Sequence, residues 1–273
     1  MIWHAVKRIA APALSARLLV PGNRRVIFIY HDVSSPGSGH FRPEYSTPPH
    51  VFREQIACLA RHFELVSLAA ITRPDTANGD RPKAAITFDD GFRGVRTDAL
   101  PVLQSAGIPF AVFVSRMAIE TDALYNGPYN QLVQGGRSRV FLDAEDVIAL
   151  SRAGVTIGNH SATHRNLAQC SAAELDEEIV ENKHYLERLL GVPIRDFAFP
   201  IGSRQHCTEP AIQACFAAGH ERGYSSDRRL FRGTDAAAAK AGNGLFPRVG
   251  LKGESPREMM FAINRALLRG FGW

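Results

Sequence analysis

The sequence predicts an α/β fold built on a closed or nearly closed barrel of about seven parallel strands. Three observations predict it. Short β-branched and aromatic runs alternate with segments whose apolar residues recur at helical spacing. The principal runs are apolar nearly throughout, as strands buried on both faces are. Residues capable of chemistry gather where the runs end, the face that carries active sites in parallel barrels. A chain of 273 residues accommodates such a barrel in one domain over residues 25–273.

The first strand spans Arg25 to Tyr30 and runs into His31-Asp32. A Ser-, Pro- and Gly-rich loop follows, then a helix with Phe52, Ile56, Leu59 and Ala60 on one face. Phe63 to Leu68 suggests a short strand. Ala84 to Phe88 is the second main strand, followed by a helix from Asp98 to Ala106 with Gly107 as its cap. Pro109 to Val114, Val155 to Gly158, Asp196 to Phe199, Arg222 to Ser226 and Leu245 to Val249 supply five more strands. Between them the pattern predicts helices over Asp143 to Ala153, from Ser171 to a stop at Gly191, and over Thr208 to Ala218. Ser171-Ala172-Ala173-Glu174 has the spacing of a capping box, and Pro256 opens a last helix. An irregular insertion from Ala118 to Arg139 and a polar connection from Arg229 to Asn243 read as surface loops.

Composition is that of a soluble globular protein, and the formal net charge of +5 is spread along the chain, which calls for no nucleic acid. Cys58, Cys170, Cys207 and Cys215 form no Cys-x-x-Cys pair and read as reduced packing residues, so a cytoplasmic location is expected. Residues 1–24 are basic and apolar, but Pro12 and Arg17 break the apolar stretch and no clean cleavage pattern follows. This reads as an amphipathic segment that packs on the domain or touches a membrane surface.

The second strand stops at Asp89-Asp90-Gly91. Adjacent carboxylates at a strand end are either a polar turn or a pair in which a cation keeps one ionised while the other exchanges protons. His160 and His164, four residues apart, can face one point from a tight turn. With one carboxylate they make two nitrogens and an oxygen, a ligand set that leaves a position open for water.

The chain here resembles the polysaccharide deacetylases of the NodB-homology type, carbohydrate esterase family 4. The resemblance rests on Thr87-Phe88-Asp89-Asp90-Gly91, on His160-Ser161-Ala162-Thr163-His164 and on Phe197-Ala198-Phe199-Pro200-Ile201-Gly202, in the family's order. It implies a distorted β/α barrel and a divalent metal, usually zinc with nickel or cobalt as alternatives, which hydrolyses an N-acetyl group from an amino sugar. By position it makes Asp89 the general base and Asp90, His160 and His164 the metal ligands. The backbone N–H of Ile201, with the metal, is expected to face the oxyanion, and Ser161 to orient the histidine loop.

Three departures from the family pattern carry consequences. Ile201 replaces the usual tyrosine, which keeps a backbone donor and loses a phenol. Ala198 stands where many members place an arginine that holds the catalytic aspartate, and Arg248, near a later strand end, is the candidate replacement. No histidine follows His220, so the C-terminal Leu-x-His element is missing. His31, in a Tyr-His element similar to that of exopolysaccharide-associated deacetylases, is the expected general acid. The expected partner is an N-acetylated glycan, a polymer or a lipid-linked one. A hydrolase of small amides on the same scaffold and a non-catalytic glycan-binding relative are the alternatives; oligomeric state is left open.

Overall fold

The computed structural model describes residues 20–269, apart from 22, 39, 75–79, 126–138 and 236–244. The predicted N-terminal segment lies outside the described residues as far as residue 19, as do most of the insertion after Tyr125 and part of the connection after Arg229. Among the described residues no helix is long and apolar enough to cross a membrane.

The strands are β1 (Arg24–Tyr30), β2 (Lys83–Phe88), β3 (Phe110–Val114), β4 (Thr156–Asn159), β5 (Asp196–Ala198), β6 (Arg222–Tyr224) and β7 (Arg248–Gly250). Each pairs in parallel with the next from β1 to β6. Phe246 then bridges in parallel to Tyr224, and β7 pairs with β1, Ile27 opposite Arg248. The sheet thus returns to its first strand through a narrow seam. The seventh strand starts at Arg248 rather than at Leu245 because Pro247 has no N–H to give the ladder. Glu64–Leu65 adds in parallel to β2, and Phe231–Arg232 adds antiparallel to the start of β1.

Helices α1 (Pro49–His62), α2 (Leu100–Ser105), α3 (Ala144–Arg152), α4 (Asn182–Leu190), α5 (Glu209–Ala217) and α6 (Pro256–Arg269) separate or follow the strands. Ser171 and Glu174 form the capping box their spacing predicts, and α4 ends on Gly191 at φ +68°. All four cysteines are free, and Cys58 and Cys215 are buried.

Alternation along the strands divides the core. Phe28, Tyr30, Ile86, Phe88, Val112 and Val114 belong to a cluster that includes Phe52, Ile56 and Leu59 of α1 and Met259 and Ile263 of α6. Ile27, Ala85, Ala111, Phe113, Ala198, Tyr224 and Phe246 form a second cluster on the opposite face, inside the ring. Each fully buried aliphatic or phenyl side chain contributes about 1.5–3 kcal/mol. Gly158 of β4 is a close-approach position, since a Cβ there would come 2.4 Å from the Phe113 ring.

Candidate active site

The inner register of β2 passes through Ala85 and Thr87 and continues to Asp89, whose N–H donates to the Tyr30 carbonyl at 3.0 Å. Arg248, opening β7 on the other side of β1, sends its guanidinium into the same interior. Nη1 and Nη2 donate to the two Asp89 oxygens at 2.8 Å each. Nε donates to the Ser225 carbonyl at 3.2 Å, and Nη1 also reaches Thr87 Oγ1 at 3.2 Å. The guanidinium carbon lies 5.2 Å from the Phe113 ring centroid and 5.9 Å from that of Tyr224. Arg248 is fully buried. Burial pushes the Asp89 carboxyl up, but the Arg248 charge and hydrogen bonds, together with His160, hold it below the usual carboxylate value.

Asp90 breaks the strand alternation. It takes φ +68° and Gly91 follows at +72°, so the chain turns and presents the second carboxylate away from the first. His160 Nε2 stands 3.3 Å and His164 Nε2 3.2 Å from the same Asp90 Oδ1. That oxygen is buried and has no hydrogen-bond partner among the described residues. His160 Nδ1 lies 2.7 Å from the Ala198 carbonyl, which can only accept; Nδ1 therefore carries the proton and Nε2 keeps its lone pair.

These residues fit a divalent cation. Ligand atoms around a tetrahedral metal with bonds of about 2.0–2.1 Å are about 3.3 Å apart, the separation seen between Asp90 Oδ1 and each imidazole nitrogen. Asp90, His160 and His164 each place one ligand atom within 4.8 Å of the others. Burial raises the Asp90 carboxyl, yet the His164 charge and the imidazole contacts bring it well below the usual range. Burial opposes a charge on His164, yet Asp90 draws its pKa upward. A cation held by these three residues would take the place of the proton.

A buried polar network holds the histidine loop. Asn159 Oδ1 accepts the Ser161 N–H at 2.9 Å and Asn182 Nδ2 at 2.7 Å, while Asn159 Nδ2 donates to the Ile179 carbonyl at 2.8 Å and to His220 Nε2 at 3.2 Å. Ser161 Oγ accepts the His164 N–H at 3.0 Å, so this serine does tie the loop across its turn. Glu178, nearly fully buried, accepts the Thr163 N–H at 3.0 Å and the Thr163 hydroxyl at 2.6 Å. Four of the five non-glycine residues at positive φ among the described residues, Asp90, Ser161, His164 and Ile201, lie in the three motifs. Each costs of order 1–3 kcal/mol and persists only where its surroundings dictate it.

The remaining predicted residues are placed less centrally. His31 follows β1, half-buried, its ring edge-on to Tyr45 at 5.5 Å between centroids. Its charge, when protonated, acts on both Asp89 and Asp90. Ile201 takes φ +63°, an outlier for a β-branched residue, and is 46% exposed. Its carbonyl accepts the Ser226 hydroxyl at 2.8 Å, and among the described residues no hydrogen bond joins it to the acid–imidazole cluster. Sequence reasoning missed Asn159, Asn182, Glu178 and His220. Asn159 carried a signal, standing next to His160 at a strand end. Glu178 carried none, being the third of three consecutive acids.

A family model described as polysaccharide deacetylase matches residues 76–219, more than half of the chain and the stretch that holds all three motifs. The chain belongs to the polysaccharide deacetylase family. Its fold is shared with Streptococcus pyogenes deacetylase PplD, solved in complex with acetate, at 17% identity and a TM-score of 0.68 over 89% of this chain and 99% of that one. IcaB from Ammonifex degensii gives 19% and 0.68 over 89% and 98%. The BpsB deacetylase domain from Bordetella bronchiseptica gives 18% and 0.62 over 86% and 98%. At such identities the likeness establishes the fold, a NodB-like barrel. No curated protein sequence matches the chain. This polysaccharide deacetylase keeps Asp89 and the cluster within the matched segment, while His31 and Arg248 lie on either side of it.

Proposed function

We propose that this deacetylase is a metal-dependent hydrolase that removes N-acetyl groups from an amino-sugar polymer or lipid-linked glycan in bacterial exopolysaccharide or envelope metabolism. The observation that carries the proposal is two adjacent carboxylates in opposite settings: Asp89 gripped by Arg248, Asp90 facing two imidazole nitrogens across one unsatisfied oxygen.

In this reading Asp90, His160 and His164 hold the divalent cation. Bound there, a cation of the zinc type polarises the amide carbonyl and makes water acidic near neutral pH. Asp89, kept off the metal, takes the proton from the attacking water. Arg248 fixes the direction of the Asp89 lone pairs through its paired bonds. The Ile201 N–H donates to the oxygen on which charge develops. His31 protonates the leaving amine, and the products are acetate and the free amino sugar.

Acetate release from chitooligosaccharides and from poly-N-acetylglucosamine by zinc-, nickel- or cobalt-reconstituted protein tests the proposal. Turnover confined to short amides would move the chain to the small-amide hydrolases. Failure to bind any of the three metals at micromolar concentration would leave a glycan-binding relative.

A further inference from the structure

A recess lies beside His31. Residues 249–251, directly after Arg248, form one wall of a cavity of about 280 Å³, α6 forms another, and His31 lines it. His31 thus lines this cavity while its charge, when protonated, acts on the carboxylate pair. Arg228, Lys252 and Arg265 also line it. All three are exposed, and none of their charged side-chain ends has a hydrogen-bond or ion-pair partner among the described residues. Two carboxylates, Glu44 and Glu254, share the lining, the latter also accepting the Lys252 N–H at 2.7 Å, so the cations outnumber the anions three to two. Phe261 supplies an apolar wall.

Three cationic side chains from separate parts of the chain, against two carboxylates, leave the recess with an excess of positive charge that favours an anionic ligand. A carboxylate is satisfied by one guanidinium, whereas a phosphate presents enough acceptor oxygens for several cationic donors. The volume, just below the range of about 300–1,000 Å³ usual for ligand pockets, admits one sugar unit or substituent rather than a length of chain.

We propose that the cavity beside His31 is an anion subsite that receives a phosphate ester carried by the glycan next to the sugar being deacetylated. The inference rests on the deacetylase reading for its purpose, but its test is one of binding. The full-length protein is titrated calorimetrically with N-acetylglucosamine 1-phosphate and with N-acetylglucosamine, once metal-loaded and once after chelation. The phosphorylated sugar should bind at least about tenfold more tightly in both states. That preference should shrink as ionic strength rises and fall below about threefold in an Arg228→Ala/Arg265→Ala variant, whose exposed positions leave the core untouched.

Equal affinity for the two sugars overturns the inference. So does a preference that survives the double substitution and vanishes on chelation, since the phosphate would then sit on the metal. Acetate release from neutral chitotetraose by the unmodified protein reports separately on the deacetylase reading, so the two can fail independently.

Discussion

Replacing Arg248 by Met tests the arrangement at its most exposed point energetically. The guanidinium is fully buried and makes two 2.8 Å bonds to Asp89, with further bonds to Thr87 and Ser225. Methionine fills much of the volume but leaves the Asp89 charge buried without its partner. Removing one member of such a pair costs about 3–5 kcal/mol, against a total stability of about 5–15 kcal/mol. The gain from pairing two charges is smaller than the cost of stranding one, so a second substitution, Asp89→Asn, should restore part of the loss. Urea unfolding of chelated protein at pH 7, followed by circular dichroism, should give a coupling energy of about 2 kcal/mol, with the double variant more stable than Arg248→Met alone. Arg248→Lys, which keeps the charge and loses the parallel pair of bonds, should fall in between. A coupling energy below about 0.5 kcal/mol would mean that the two residues are independent, and the assignment of Arg248 as the positioning residue for Asp89 would be abandoned.

Asp90→Asn should lose bound metal while Asp89→Asn keeps it and loses turnover; elemental analysis of both variants after reconstitution checks this, and equal metal loss in the two would show that base and ligand are wrongly divided. His31→Ala should lower kcat by about 10²–10⁴-fold at unchanged metal content, and near-normal turnover would remove His31 from the mechanism. His220 gives a prediction in pH. Burial lowers its pKa from 6.5 to about 4, so between these values the unfolded chain binds a proton that the folded one does not. Stability is therefore whole above pH 6.5 and falls by about 3 kcal/mol as the pH drops to 4. A His220→Gln variant should lack this slope in denaturation midpoints; an unchanged slope would show that other groups set it.

The barrel was legible because its strands are apolar runs of the right length, and their bounds moved by only one to three residues. Asp89, Asp90, His160 and His164 were legible because they sit in short motifs at strand ends. Arg248 was harder, since nothing in Phe246-Pro247-Arg248-Val249 says which way the arginine points. Its inward direction follows from the register with β1, which only the closed sheet defines. The supports of the histidine loop were hidden for a related reason. Asn182 and Glu178 lie in a polar helical stretch that reads as solvated, and they are buried because that stretch packs over the loop they hold. The oxyanion role proposed for Ile201 depends on backbone dihedrals, on which an isoleucine in the sequence is silent.

Asp89 and Arg248 are 159 positions apart. A ribosome must therefore make β7 before the first carboxylate acquires its partner, whereas Asp90, His160 and His164 have all been made by residue 164. On the proposed mechanism, a barrel clipped before β7 would keep the three proposed ligands and lack the residue that aligns the proposed base. On that mechanism β7 would be a checkpoint, making catalytic competence coincide with completion of the ring.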